Sequence, residues 1–220
     1  MPTISVENYL KAIYHLEDGR PERVKTKELA DQLGVALPSV TSMLKALAAD
    51  GLVDYEAYRG AQLTEAGRRH AVRVIRNHRL IELFLVQALG YTWDEVHEEA
   101  ELLEHAVSDR LADRIDQALK FPRTDPHGDP IPDASGCFRS EQGTPLTDCT
   151  PGLRVRLVQA LEQDPEVLRY LTSLGVHPGV ELRVVAFEPF GGPIRLAVGV
   201  EGAPVSLGLG LAANLRVAPT

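Results

Sequence analysis

Histidines and carboxylates are concentrated in residues 93–105, a block with six acidic residues and no lysine or arginine. The spacing i, i+4, i+7 and i+8 is that of His97, Glu101, Glu104 and His105. On an α-helix, side chains at this spacing share one face. Imidazole and carboxylate donors together suit Mn, Fe, Co, Ni or Zn. The block therefore predicts a transition-metal site, and the absence of a nearby thiolate favours the harder ions.

A second pair of this kind, His78 and Glu82, precedes the block at i, i+4 spacing. Two antiparallel helices would then present three imidazoles and three carboxylates to one another. A single His–Glu pair on a helix is usually a solvated surface pair, which is the alternative interpretation. Six such residues on two facing stripes favour metal binding.

A di-metal carboxylate enzyme is another interpretation of the same residues. That architecture uses Glu-x-x-His on each of two helices, and only Asp94-x-x-His97 approaches it. The zinc-protease pattern HExxH is also absent from the sequence. The prediction is therefore a metal-binding protein that is not an enzyme.

Hydrophobic periodicity predicts the helices that would position these side chains. They are expected at 4–18, from a Thr26 cap to Gly34, from Pro38 to about residue 50, at 66–89 behind a Thr64 cap, and at 93–119. Two short helices joined by a tight turn are typical of a helix-turn-helix. A predicted hairpin turning at Arg59–Gly60 makes it a winged variant.

The carboxyl-terminal third changes character. Residues 121–152 are rich in Pro, Gly and Asp, and strand patterns dominate from residue 180. The predicted fold is mainly α with small β parts. Its domains are a winged helix-turn-helix DNA-binding domain (1–65), a helical metal-binding domain (66–135), a linker (136–152) and a small β-barrel (153–220).

Composition narrows the class of protein. A net charge of −8 argues against a simple basic nucleic-acid binder, although residues 1–70 are near neutral. No apolar run reaches the roughly 20 residues that span a bilayer, and the first residues lack a signal-peptide pattern, so a cytoplasmic protein without membrane partners is expected. The two cysteines, Cys137 and Cys149, are too few for a disulfide scaffold or a four-cysteine zinc site.

Several motifs resemble the diphtheria toxin repressor family of metal-dependent regulators, which includes the manganese transport regulators. They are VENYLKAIY (6–14), ALPSVTSML (36–44), NHRLIELFL (77–85), VHEEAELLEHAVSD (96–109) and GDPIPD (128–133). The resemblance is strong over residues 3–133. The carboxyl-terminal stretch is similar, more weakly, to the SH3-like domain of the longer members.

The resemblance implies two metal sites. Its primary, activating site would consist of Asn8, Glu101, Glu104 and His105. Its ancillary site would consist of His78, Glu82 and His97, with Gln159 and Glu162 as two further ligands from the SH3-like domain. Lys11 stands where manganese regulators carry a further glutamate ligand, and His97 favours two separate sites over a shared binuclear one.

The resemblance also indicates which metal is sensed. Iron-responsive members carry a cysteine at the position of Glu101, whereas a carboxylate there is similar to manganese-responsive members. Mn²⁺ is therefore the expected cofactor and Fe²⁺ the alternative, with Co²⁺, Ni²⁺, Zn²⁺ or Cd²⁺ expected to substitute in vitro.

The implied partner is a palindromic double-stranded DNA operator near metal-transport genes, bound and repressed by a homodimer formed through residues 66–119. A two-fold dimer would place its recognition helices about 34 Å apart in successive major grooves. The expected reading surface is Pro38, Ser39, Thr41, Ser42 and Lys45, with Arg59 at the hairpin tip. A metal-independent winged-helix regulator that senses another ligand is the alternative.

Replacing Glu101 tests the metal preference. Glu101→Cys is expected to shift relative affinity from Mn²⁺ toward Fe²⁺, Co²⁺ or Ni²⁺, because a thiolate is a softer donor than a carboxylate. Titration calorimetry with each ion measures the ratio of affinities. An unchanged ratio would contradict the assignment.

Overall fold

A computed structural model of the chain describes residues 3–17, 20–138, 143–199, 202 and 204–220. The chain divides into two units. The first consists of Met1–His78, Leu103–Asp109 and Pro132–Cys137, and the second of Arg79–Leu102, Arg110–Ile131 and Phe138–Thr220. Among the described helices, none combines the length and apolar character that crossing a membrane requires.

The amino-terminal part of the first unit consists of three helices and a hairpin. They are α1 (Ile4–Glu17), α2 (Thr26–Leu33), α3 (Leu37–Ala49), β1 (Val53–Glu56) and β2 (Gly60–Leu63). The two strands pair antiparallel, with Val53 opposite Leu63. The core residues Leu10, Ile13, Leu29, Leu44 and Leu47 are fully buried. This arrangement confirms the predicted winged helix-turn-helix.

The ends of these elements differ from the prediction in two details. Lys25, not Thr26, is the residue that precedes the first turn of α2, and its backbone N–H donates to the Glu28 carboxylate at 2.9 Å. The hairpin turns at residues 57–59, because Gly60 already pairs with Glu56 across the strands. Gly34, in a left-handed conformation at φ 64°, ends α2 as predicted.

The long helix α4 (Glu65–Phe84) follows the hairpin and continues as a π-helical turn over Leu85–Leu89. The Thr64 hydroxyl accepts a hydrogen bond from the Gly67 N–H at 3.1 Å, which confirms the predicted cap. Gly90, at φ 77°, ends the helical stretch. The periodicity therefore located this helix to within about a residue at each end.

The single helix predicted over 93–119 is wrong. Helix α5 (Val96–Leu103) ends before Glu104, and α6 (Asp109–Ala118) begins five residues later. The buried Asn77 side chain donates to the carbonyl oxygens of Glu104 and Val107, at 3.1 and 3.3 Å. A side chain from α4 thus satisfies two backbone acceptors that a continuous helix would use. As a result, Glu104 and His105 lie in a turn and do not share one helical face with His97 and Glu101.

A six-stranded antiparallel sheet dominates the carboxyl-terminal part of the second unit, in the order β3-β8-β4-β5-β6-β7. The strands are β3 (Thr144–Pro145), β4 (Arg154–Ala160), β5 (Glu181–Phe187), β6 (Ile194–Val198), β7 (Pro204–Leu207) and β8 (Leu215–Pro219), with helices α7 (Pro165–Ser173) and α8 (Leu209–Ala213). The predicted small β domain is confirmed. Leu146 and Cys149, from the residues predicted as a linker, belong to its buried core. Burial raises the pKa of the Cys149 thiol, which suits a packing role.

The loop 122–131 packs on strand β4. The Ala160 N–H donates to the His127 carbonyl at 2.9 Å, and Gly128 lies against the backbone of Val158 and Gln159. Gly128 has φ 89°, a conformation that residues with a Cβ adopt at a cost. A side chain there would also clash with the Val158 carbonyl oxygen. Only glycine allows this loop to approach the strand.

Gly128→Ala is expected to destabilise the second unit by about 2–3 kcal/mol, because strain and steric overlap add at this position. Gly210→Ala is the matched control, since Gly210 lies in α8 with open space around its Cα. Urea unfolding followed by circular dichroism measures both. Equal midpoints for the two variants would contradict the close approach.

Candidate metal centres

Glu104 is the centre of a buried cluster in the first unit. Its side chain is 0% exposed. His78 Nδ1 lies 2.6 Å from Glu104 Oε2, and His105 Nε2 lies 3.3 Å from Oε1. The Lys11 ammonium donates to both oxygens, at 2.6 and 2.9 Å. A buried carboxylate needs such partners, and two of the three are imidazoles that can also ligate a metal.

A second carboxylate of the first unit orients His105. Glu7 is buried, and its Oε2 lies 2.6 Å from His105 Nδ1. Arg73 lies 3.4 Å from the other Glu7 oxygen and donates through Nε to Asp109 at 2.5 Å. This chain of contacts fixes the His105 ring, so that its Nε2 points toward Glu104. A carboxylate behind a ligating histidine is the usual supporting arrangement in metal sites.

Asn8 supplies an unsatisfied acceptor on the same helix as Glu7 and Lys11. Its Oδ1 atom is buried and has no hydrogen-bond partner in the described structure. A buried amide oxygen without a partner costs free energy, and a neutral oxygen of this kind is a suitable ligand for a divalent cation. The observation fits the predicted role of Asn8 in a metal site.

Two described contacts join predicted ligands that were assigned to different sites. The sequence placed His78 in the ancillary site, whereas its ring contacts Glu104, which was assigned to the primary site. In the second unit, His97 Nδ1 lies 3.5 Å from Glu82 Oε1 and its Nε2 lies 3.8 Å from Glu101 Oε1. Glu101, predicted for the primary site, thus lies beside a predicted ancillary ligand. The division of ligands between two sites stays a prediction.

A separate buried donor set lies wholly within the second unit. Glu82, Asp125 and His127 each offer one ligand atom, and these atoms lie within 4.8 Å of one another. All three residues are buried, and His127 Nδ1 lies 3.6 Å from Glu82 Oε2. Two carboxylates and one imidazole at such distances could hold a divalent cation.

The hydrogen bonds around this set leave the right atoms available. His127 Nε2 is 2.7 Å from the Trp93 carbonyl oxygen, a bond that places the ring proton on Nε2 and the lone pair on Nδ1. Asp125 uses Oδ1 to accept two loop N–H groups, those of His127 and Asp129. Buried Asp125 Oδ2 and His127 Nδ1 have no hydrogen-bond partner in the described structure. Neither atom is used in a described hydrogen bond, although Arg79 Nε lies 3.7 Å from Asp125 Oδ2 and Glu82 Oε2 lies 3.6 Å from His127 Nδ1.

Electrostatics in the second unit favour a cation at this place. Burial raises the pKa of Asp125 well above its ordinary value, and the charges of Asp129 and Glu82 add to the effect. Burial alone would lower the pKa of His127, but the neighbouring Glu82 carboxylate outweighs that effect and the pKa is raised. Both shifts make the cluster hold protons more readily than isolated side chains would, so metal binding is expected to weaken as the pH falls.

Asp125 and His127 were not predicted as ligands. They lie in the sequence DPHGDP at 125–130, next to the motif GDPIPD that carried the family resemblance. Their region was predicted as part of an aperiodic stretch, so no helical spacing marked it. The Asp-x-His pair is the local sequence feature that could have marked this loop as a donor set.

The two ligands predicted from the SH3-like domain have other described contacts. Gln159 donates to Asp129 at 2.5 Å. Asp129 lies 3.7 Å from Arg79, which lies 3.7 Å from Asp125. Gln159 is thus connected to the Asp125 cluster through a polar network. Glu162 accepts from the Asp164 N–H at 3.2 Å, at the start of α7.

The predicted DNA-reading residues lie on α3 and on the wing. Pro38, Ser39, Ser42, Met43 and Ala46 line a shallow groove of about 530 Å³. Ser39, Ser42 and Lys45 are exposed. The Thr41 hydroxyl donates to the Leu37 carbonyl at 3.1 Å, so it is bonded to its own helix. Arg59, exposed on the wing, pairs with Glu56 at 3.1 Å.

A winged helix-turn-helix combined with buried imidazole and carboxylate clusters defines a class of protein: DNA-binding regulators controlled by a metal. Family models agree with each part. Residues 1–61 match the N-terminal DNA binding domain of the iron dependent repressors, and residues 64–133 match their metal binding and dimerisation domain. Residues 144–219 match the FeoA domain.

Individual relatives match over most of the chain. The iron-dependent repressor IdeR of Mycobacterium leprae is 32% identical over 213 residues, 90% of each protein. The diphtheria toxin repressor of Corynebacterium diphtheriae is 33% identical over 82% of this chain and 84% of its own. Among solved structures, a manganese-dependent transcriptional repressor in complex with manganese has a TM-score of 0.86 and 42% identity, covering 98% of this chain and all of that one. ScaR with bound Cd²⁺ has a TM-score of 0.78 and 34% identity, with full coverage of both.

The chain belongs to the iron dependent repressor family, whose members are metal-dependent, DNA-binding transcription repressors. The predicted family, fold class and general function are therefore confirmed, including the SH3-like carboxyl-terminal domain. The family consists of repressors and not of enzymes, which removes the di-metal enzyme interpretation. Its metal dependence also removes the metal-independent alternative.

Trp93 provides a local reporter for the second-unit donor set. It is the one tryptophan of the chain, and its ring stacks on His127 with centroids 5.9 Å apart. Mn²⁺ or Cd²⁺ bound there is expected to change Trp93 fluorescence. Asp125→Asn should raise the ion concentration that gives half of this change by about tenfold or more. The substitution removes the negative charge of the ligand and keeps the shape of the side chain.

Glu104→Gln serves as the control for the same titration, since Glu104 belongs to the first-unit cluster and should leave the Trp93 response intact. A fluorescence change that is unaffected by Asp125→Asn would show that the reporter senses a different site.

Proposed function

We propose that this chain represses metal-uptake genes by binding a palindromic operator as a homodimer, and that Mn²⁺ is its physiological activator. The observation that carries the proposal is a set of buried donor atoms without hydrogen-bond partners: Asn8 Oδ1 in the first unit, and Asp125 Oδ2 and His127 Nδ1 in the second. Buried polar atoms are rarely left unsatisfied, so a ligand that satisfies them is the simplest explanation.

The donor chemistry supports manganese over softer ions. The first cluster offers carboxylate, amide and imidazole donors, and the second offers two carboxylates and one imidazole. Oxygen-rich sites with few nitrogens and no sulfur suit Mn²⁺, with Fe²⁺ as the next choice. The 42% identical structure, described as a manganese-dependent repressor with manganese, agrees with this preference. Co²⁺, Ni²⁺, Zn²⁺ or Cd²⁺ would substitute in vitro.

Control of DNA binding follows from where the first cluster lies. Asn8 belongs to α1 of the DNA-reading domain, whereas Glu104 and His105 belong to the 103–109 segment of the same unit. A bound divalent cation would supply positive charge for the buried carboxylates and satisfy the Asn8 oxygen. Asn8, Glu104 and His105 would then hold α1 in one position, and α1 carries core contacts to α2 and β2. Fixing α1 restricts the recognition helix to a conformation that fits the operator.

The dimer interface is proposed within residues 66–119. In the second unit, Leu89, Leu102 and Leu111 are exposed by 61%, 76% and 48%. Contiguous exposed apolar patches mark interaction surfaces, so an interface that brings these leucines together would cover them. The family model that matches residues 64–133 is described as a dimerisation domain, which supports the same segment.

Metal-dependent operator binding is the decisive measurement. A labelled DNA fragment from upstream of the chain's own gene is expected to bind at least about tenfold more tightly with Mn²⁺ than with EDTA, in the usual range for allosteric coupling. Glu104→Gln should lose this difference. Glu98→Gln, on the exposed face of α5, is the matched control and should keep it.

The same assay with Fe²⁺ under anaerobic conditions ranks the two ions. Operator binding that is equally tight in EDTA would remove metal activation altogether, and stronger activation by Fe²⁺ at equal free concentration would overturn the choice of manganese.

A further inference from the structure

Lys11 occupies an unusual place for a lysine. Its side chain is only 13% exposed, and its ammonium contacts both oxygens of the fully buried Glu104 carboxylate. Lysines are almost never buried unless they are paired. The pair therefore compensates two charges in the interior of the first unit.

The ammonium stands where a metal ligated by Glu104 would have to bind. Glu104 Oε1 has Lys11 at 2.6 Å and His105 Nε2 at 3.3 Å, and Oε2 has Lys11 at 2.9 Å and His78 Nδ1 at 2.6 Å. Of these partners, only Lys11 can never act as a ligand while it carries its positive charge. Lys11 thus fills the coordination positions of a carboxylate whose other neighbours are potential ligands.

Asn8 provides a second observation on the same helix. It lies three residues before Lys11, on the same face of α1. Its buried Oδ1 has no hydrogen-bond partner in the described structure, although a lysine ammonium three residues away is a strong donor. A divalent cation held beside Asn8 would give that oxygen a partner.

We propose that Lys11 is an internal counter-ion, which neutralises Glu104 in the metal-free protein and must withdraw before Glu104 can ligate a metal. This proposal rests on the proposed function of the Glu104 cluster. A lysine ammonium and a divalent cation at one carboxylate repel each other strongly, so the two states are exclusive. No proton transfer is required, since Lys11 stays charged and moves toward solvent along its flexible side chain.

The consequence is a raised threshold for activation. Every divalent ion must displace the same ammonium, so Lys11 lowers the affinity for Mn²⁺ and Fe²⁺ alike and does not choose between them. It also keeps Glu104 compensated when metal is scarce, which prevents the uncompensated buried charge that would otherwise destabilise the first unit. Lys11 therefore sets the concentration at which the repressor responds.

Neutral replacement of Lys11 tests this role. Lys11→Met and Lys11→Gln are expected to bind Mn²⁺ at least about tenfold more tightly than the unchanged protein, as measured by competition with a fluorescent metal chelator. Lys27→Gln removes one positive charge from an exposed position of α2 and should change the affinity less than twofold. Unchanged or weaker Mn²⁺ binding by both Lys11 variants would overturn the proposal.

Glu104→Gln separates this proposal from the one on which it rests. If Glu104→Gln leaves Mn²⁺ binding intact, the metal site itself is misplaced. If Glu104→Gln weakens binding while the Lys11 variants bind as the unchanged protein does, only the counter-ion role fails.

A measurement on the wild-type protein tests the proposal without relying on the variants to fold. Acetylation of Lys11 by an amine-reactive ester, followed by mass spectrometry, should be at least about fivefold faster with saturating Mn²⁺ than with EDTA. Lys27 provides the internal control and should be labelled at equal rates. A Lys11 rate that is equal or slower with Mn²⁺ would contradict withdrawal of the ammonium.

Discussion

Compensation of the buried Glu104 charge is the interaction on which the first unit depends. A carboxylate without solvent exposure costs several kcal/mol unless charged or hydrogen-bonding partners surround it. Its partners come from α1 (Lys11), from α4 (His78) and from the adjoining residue His105. The requirement to satisfy one carboxylate therefore brings the first helix of the DNA reader together with the 103–109 segment.

The buried carboxylates of the second donor set also need charge compensation, but different groups provide it. Glu82 and Asp125 have His127 between them, and the nearest described cation to Asp125 is Arg79, at 3.7 Å. Arg79 also serves Asp129 and donates to the Pro130 carbonyl at 2.6 Å. Burial raises the pKa of Asp125, whereas for His127 burial acts to lower the pKa and the Glu82 carboxylate raises it. Lys11 therefore neutralises the Glu104 carboxylate, whereas the second donor set keeps two atoms, Asp125 Oδ2 and His127 Nδ1, without a hydrogen bond in the described structure.

Residues 104–108 show most clearly how a long-range contact can override the structure that the local sequence pattern favours. Helical periodicity extended through this stretch, because its apolar and charged residues continue the spacing of α5. Asn77 is 27 residues away from Glu104 in sequence and takes over the carbonyl oxygens of Glu104 and Val107. Such a bond has no local sequence pattern. The resulting turn also directs Glu104 and His105 toward α1, where a continuous helix would have kept them in line with His97.

The sequence by itself determined most of the helices, the small β domain and the family of this protein. Periodicity and capping residues specify the helix-turn-helix and α4, since these depend on contacts within a few residues. The motif at 96–109 indicated the family and the residue types of the candidate metal ligands. Only the tertiary structure decided which candidate ligands lie close together, because their proximity depends on contacts between residues distant in the sequence. Those contacts placed His78 beside Glu104, closed that carboxylate with Lys11, and brought Asp125 and His127, from an aperiodic loop, to Glu82 on α4.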